Sequence, residues 1–104
     1  MFIAMNRFKV LIGAENKFED VWRNRKSTLD EVEGFMDFKM LQGAENRDEG
    51  YRLYVSHSHW ASQQAFISWT KSENFREAHR NAGGHKPLYA GPPKFEGFTV
   101  IEGI

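Results

Sequence analysis

Hydrophobic and polar positions alternate first over "FIAMNRFKVL", residues 2–11, where Phe2, Ala4, Phe8 and Val10 share one face, a period of two that predicts a β-strand. Gly13 marks a turn. In "ENKFEDVWRNR" the period then lengthens, and Phe18, Val21, Trp22 and Arg25 recur at helical spacing. "GFMDFKMLQ" returns to alternation, with Met36, Phe38 and Met40 set against Asp37 and Lys39. "GAENRDEG" reads as a turn-rich connection, and "YRLYVSHSH" as a third strand with Leu53, Val55, His57 and His59 on one face. Ser62 is a favourable N-cap for a helix carrying Ala65, Phe66 and Trp69. Ser72 followed by Glu73 starts another helix, from about Glu73 to Asn81, which Gly83 and Gly84 end in a left-handed cap. "HKPLYAGPP" is a Pro/Gly-rich loop, and "KFEGFTVIEG" is the last strand, with Gly97 marking a bulge.

The order β, α, β, β, α, α, β predicts an α+β, ferredoxin-like split βαβ fold, a four-stranded sheet with helices on one face. The opposite face carries Ile3, Met5, Leu11, Phe35 and Leu41. An isolated sheet would show that apolar surface to water, so a homodimer with paired sheets is expected. A chain of 104 residues supports one hydrophobic core, hence a single domain spanning 1–104.

Composition narrows the function classes. Cysteine is absent, which removes disulfides, thiolate ligands and a cysteine nucleophile and leaves His, Asp or Glu to hold any metal. Lys plus Arg and Asp plus Glu both number 14 with no run of one sign, so the broad basic face that nucleic acid requires is missing. No apolar run is long enough to span a bilayer, and the expectation is a cytosolic protein without a membrane partner. Nine Phe, three Trp and three Tyr run from Phe2 to Phe98, enough either for a Phe-built core or for a pocket that takes a flat apolar ligand. A phosphate-binding Gly-rich loop after a strand, a GxSxG elbow and a glycosidase pair of acids are not in the sequence.

Two polar residues interrupt otherwise apolar faces. Alternation puts the Asn6 amide among Phe2, Ala4, Phe8 and Val10. There it either bonds nearby backbone or aims at a ligand oxygen, since an unpaired buried amide costs on the order of 1–3 kcal/mol. His79 shares a face of its short helix with Phe75 and Ala78, with Phe75 inward. An uninterrupted helix would leave Trp69 and His79 about 80° apart around its axis, so the break at Ser72 is what lets two short helices offer one residue each to a common gap. Asn6, Trp69 and His79 around that gap form the layout of a haem pocket, an imidazole at one wall and an amide at the other. His57 and His59 form a His-x-His pair without an obvious third metal ligand, and His85 belongs to the loop or the surface.

"MNRF" in the first strand and "AFISWTKSENFREAHR", with "GGHKPLY" and "FEGF" further on, resemble the IsdG-type haem-degrading monooxygenases of the antibiotic-biosynthesis monooxygenase superfamily, and among them the rhizobial HmuQ type. The resemblance covers nearly the whole chain. It implies a dimeric ferredoxin-like β-barrel with one haem per subunit, haem being both cofactor and substrate, together with dioxygen and an external electron donor. By the same resemblance His79 matches the iron ligand, Asn6 the amide that bonds the iron-bound oxygen species, and Trp69 the bulky residue that pushes the porphyrin out of plane. Phe75 joins the haem-contacting set, and Arg25 falls where some relatives carry an arginine that reaches a propionate. Two alternatives stay open: a cofactor-free monooxygenase of quinol-like aromatics on the same fold, and a non-catalytic haem carrier.

Overall fold

Strand β1 (Phe2–Leu11) buries Phe2, Ala4, Phe8 and Val10 and leaves Arg7 and Lys9 in water, the pattern of a strand with one covered face. The computed structural model describes residues 1–25, 28–72 and 88–104. In it β1 pairs antiparallel with β3 (Tyr51–Trp60) on one side and with β4 (Lys94–Thr99) on the other. β2 (Phe35–Asn46) pairs with the far edge of β3, giving the open sheet order β2-β3-β1-β4. Helices α1 (Glu15–Arg23) and α2 (Gln63–Thr70) lie over one face of this sheet, as a ferredoxin-like α+β fold requires.

The covered face carries two core clusters. Phe8, Val10 and Tyr54 receive Phe18 of α1, while Phe2, Ala4 and Trp60 meet Phe66 and Trp69 of α2. Helix α2 starts as its sequence predicts, with Ser62 Oγ accepting from the Ala65 N–H at 3.1 Å. It stops at Thr70, and both the Ser72 N–H (2.9 Å) and the Ser72 hydroxyl (2.6 Å) donate to the Trp69 carbonyl. Helix α2 therefore ends before Ser72. The helix expected over Glu73–Asn81, its Gly83–Gly84 cap and His85 lie outside the described residues.

Three expectations need correcting. Half of "GAENRDEG" is strand: β2 runs on to Asn46, and the Arg52 guanidinium bonds Glu45 across the strands at 2.7 Å. Phe35 does not join the outer face. Phe35 pairs with Trp60 but Asp37 with His59, so Met36 is an extra residue, and this bulge turns Phe35 to the helix side together with Phe38. Gly97 marks no bulge, because register runs unbroken from Phe2↔Thr99 to Arg7↔Lys94. A Cβ at Gly97 would lie 2.7 Å from Phe2 Cζ, so the glycine makes room for that ring. The Pro/Gly loop is irregular over its described residues, as expected, and it also contributes to the core: Leu88 is buried, and the Leu11 N–H donates to its carbonyl at 2.8 Å while Tyr89 bridges to Val10.

Where β2 begins, Gly34 has φ +86, and a Cβ there would collide with Ala65 of α2, so that turn fixes the closeness of helix and sheet. Among the described residues no helix is long and apolar enough to cross a membrane.

Candidate active site: an aromatic cavity with a polar floor

Between the two clusters, helices and sheet part to leave a cavity of about 570 Å³. Its floor is sheet: Ala4 and Asn6 of β1 beside Ser58 and Ser56 of β3, cross-strand partners in that order. These side chains are small where their neighbours along the same faces, Phe8 and Tyr54, are large, so the floor is recessed.

Aromatic rings form both walls. On one side Trp60, wholly buried, stands 5.3 Å from the ring of Trp69 and 5.6 Å from that of Phe66. Its indole N–H donates to Ser58 Oγ at 2.9 Å, which fixes the ring's orientation. On the other side Trp22 at the end of α1 stacks on Phe38 of β2, centroids 5.8 Å apart and planes within 17°. Such walls suit a flat apolar ligand.

Arg25 sits at the rim of the same cavity. The chain leaves α1 at Asn24, and the guanidinium folds back over the Trp22 ring, 3.9 Å from its centroid. Burial pushes its pKa down, with the neighbouring Tyr89 acting the other way. Among the described residues no carboxylate pairs with Arg25, although Asp30 also borders the cavity. A half-buried cation without a counter-ion is costly, and an anionic ligand group would remove that cost.

The Asn6 amide makes no side-chain hydrogen bond among the described residues, so the backbone does not occupy it and it remains available at the cavity floor. Asn6, Trp69 and Arg25, nominated from sequence on separate grounds, thus border one space. Phe75 and His79 lie outside the described residues. His57 and His59 occupy the opposite sheet face, where they pair with Lys39 and Met5 and with Asp37 and Ile3. Among the described residues no group of three metal-ligating side chains forms there or elsewhere.

Sequence reading overlooked the rest of the lining. Ser56, Ser58 and Trp60 were legible as the alternates of His57 and His59 in β3, had the inward face been followed past Tyr54. The Trp22–Phe38 stack joins elements remote in sequence, and no local period announces it.

Fold and cavity together define a ferredoxin-like α+β domain with a ligand-sized space on one side of its sheet. The chain belongs to the antibiotic biosynthesis monooxygenase family, whose model matches residues 1–81. It is 34% identical over 85 residues to a protein of Listeria welshimeri named heme-degrading monooxygenase, covering 76% of this chain and 69% of that one. Among solved structures it resembles the haem degrader MhuD of Mycobacterium tuberculosis, determined with two haems in its active site, with TM-score 0.72, 22% identity and coverage of 100% and 99% of the two chains. It also resembles a mutant of SnoaB, a cofactor-independent oxygenase of Streptomyces nogalater, with TM-score 0.66, 23% identity and coverage of 95% and 91%. At those identities the two structures speak for the fold.

Proposed function

We propose that the protein is a haem-degrading monooxygenase. It takes one haem per subunit into the cavity with His79 as iron ligand. With dioxygen and electrons from an external donor, the porphyrin ring is opened, releasing iron and a biliverdin-like tetrapyrrole. The observation that carries this reading is Arg25, a desolvated guanidinium at the rim of a flat aromatic cavity with no carboxylate pairing it among the described residues. Haem is flat, apolar across its face and carboxylated at one edge, so it answers walls and rim together. A neutral quinol would leave the guanidinium unanswered. The identity to the Listeria enzyme supports the same choice.

Bound haem would supply an iron for oxygen chemistry, and His79 would hold that iron through a neutral imidazole, a weaker electron donor than a thiolate. The chain's own part is placement. Asn6 would present its amide from the floor to orient a small ligand, Trp69 would pack against the haem face, and Arg25 would hold a propionate; each would act by positioning. Trp60 and Phe66 keep water from that side. Two subunits would pair through the outer sheet face, where Leu41 and Phe98 are 43% and 46% exposed and Phe98 pairs with Ile3, and close a barrel between them.

The test is a haem titration followed by reductant in air. The expected outcome is a Soret band saturating at one haem per subunit, then decaying as iron is released. His79→Ala should lose the iron ligand, whereas Asn6→Ala and Trp69→Ala should retain haem and lose turnover. No Soret change with the wild type would overturn the reading in favour of a cofactor-free monooxygenase. A stable Soret band under reductant and air would leave a haem carrier.

A further inference from the structure

Ser56 is the buried polar residue among those described, 7% exposed, and it lines the cavity. Its neighbour Ser58, two residues along the same face of β3, is fully employed: it accepts from the Trp60 indole at 2.9 Å and donates to the Ala4 carbonyl at 3.4 Å. The Ser56 hydroxyl makes no side-chain hydrogen bond among the described residues. Two serines of one strand face thus differ in kind, one spent on holding a wall and one left open toward the cavity. A mid-strand site favours β-branched or aromatic residues over serine, so strand formation alone does not account for this hydroxyl at the cavity floor.

The position says what the hydroxyl addresses. Ser56 is the cross-strand partner of Asn6. Such pairs hold their Cβ atoms about 4.5–5.5 Å apart on one side of a sheet. An amide N–H and a hydroxyl O–H therefore rise side by side from the floor. We propose that Ser56 is a second hydrogen-bond donor to the small ligand held beside Asn6, so that two donors from adjacent strands fix its orientation over the cavity floor. The proposal rests on the haem reading above and adds a residue to it.

The experiment uses the full chain loaded with haem, reduced and bound to carbon monoxide as the probe of that position. A donor to the bound ligand lowers the C–O stretching frequency. Ser56→Ala should raise it, with unchanged Soret titration and unchanged melting temperature. Turnover should fall about fivefold to tenfold, the equivalent of one net hydrogen bond of about 1–1.4 kcal/mol. Ser56→Thr keeps the hydroxyl and should restore the wild-type frequency. Ser58→Ala should leave the frequency unmoved and lower the melting temperature, because it strips Trp60 of its acceptor. A wild-type C–O frequency in Ser56→Ala, with haem bound normally, overturns the proposal by itself. Failure of the wild type to bind haem overturns the haem reading, and this assignment with it.

Discussion

Two ends of the same sheet face are built from the same strands and finish differently. At one end Phe18 of α1 drives between Phe8, Tyr54 and Tyr89, with ring centroids 5.6, 4.7 and 6.0 Å away. The Tyr54 hydroxyl there is answered twice: it donates to Glu19 Oε2 at 2.6 Å and accepts from Gln42 Nε2 at 3.0 Å. At the other end the strand positions that floor the cavity are Ala4, Asn6, Ser56 and Ser58, smaller than Phe8 and Tyr54, and α2 lays Trp69 along the wall instead of into the floor. The first end is packed, with its central hydroxyl satisfied. The second is recessed and leaves Asn6, Ser56 and Arg25 without a side-chain hydrogen bond or ion pair among the described residues. Side-chain size on two strands, more than any difference in backbone, separates a core from a candidate active site.

The widest gap should appear when one aromatic is removed from each end. Phe18→Ala empties a wholly buried site, and a loss of about 3–5 kcal/mol is expected in urea unfolding. Trp69→Ala removes a half-buried ring beside an existing cavity and should cost less than half as much, while abolishing turnover of haem. Equal losses of stability would erase the distinction between the two ends.

Next in size is the rim. Arg25→Ala should weaken haem binding about 10- to 100-fold, the worth of a charge-assisted hydrogen bond of about 1.5–3 kcal/mol, read by Soret titration. Arg25→Lys should recover only part of this, because an ammonium does not stack on Trp22 as the planar guanidinium does. Global stability should hold or rise slightly in the alanine variant, since the cation has no carboxylate to lose among the described residues. A marked fall in stability with unchanged haem affinity would move Arg25 from the open end to the packed one.

How much of this was legible in the sequence follows from how local each cause is. The period of two in "FIAMNRFKVL" gave β1 to the residue, and Ser62 marked the start of α2, because both signals act within a few positions. Asn6 stood out for the same reason, as a polar residue at an inward position of a strand. The bulge at Met36 was not legible: it depends on which residue of β3 faces which of β2, and one extra residue moved Phe35 from the outer face to the cavity side. Gly97 looked like a bulge because its true reason, the Phe2 ring, comes from a strand 95 positions earlier in the chain. Ser56 was passed over because a serine in a strand looks unremarkable until its neighbour Ser58 is seen to be occupied. His79 and Phe75 rest on the sequence reading and its family resemblance.

The smallest effect tests the packed end through pH. The Tyr54 hydroxyl is the leading reason the Glu19 carboxyl sits below its ordinary value of 4.5, with Arg23 adding to it. A lowered carboxyl stabilises the fold above its ordinary value, and that contribution disappears as pH falls through the lowered one. Burial, and then Glu19 itself, raises Tyr54 above its ordinary 10.0, so its contribution is present below that pH and fades as the solution becomes more alkaline. Tyr54→Phe keeps the ring and removes both bonds, and a loss of about 1 kcal/mol is expected near neutrality. The difference between the two proteins in urea unfolding should be widest between these limits and should shrink as pH falls through the lowered Glu19 value, below which the carboxyl is protonated in either. A difference that stays constant through that fall would mean the carboxylate draws nothing from the hydroxyl, and the packed end would owe its order to the rings alone.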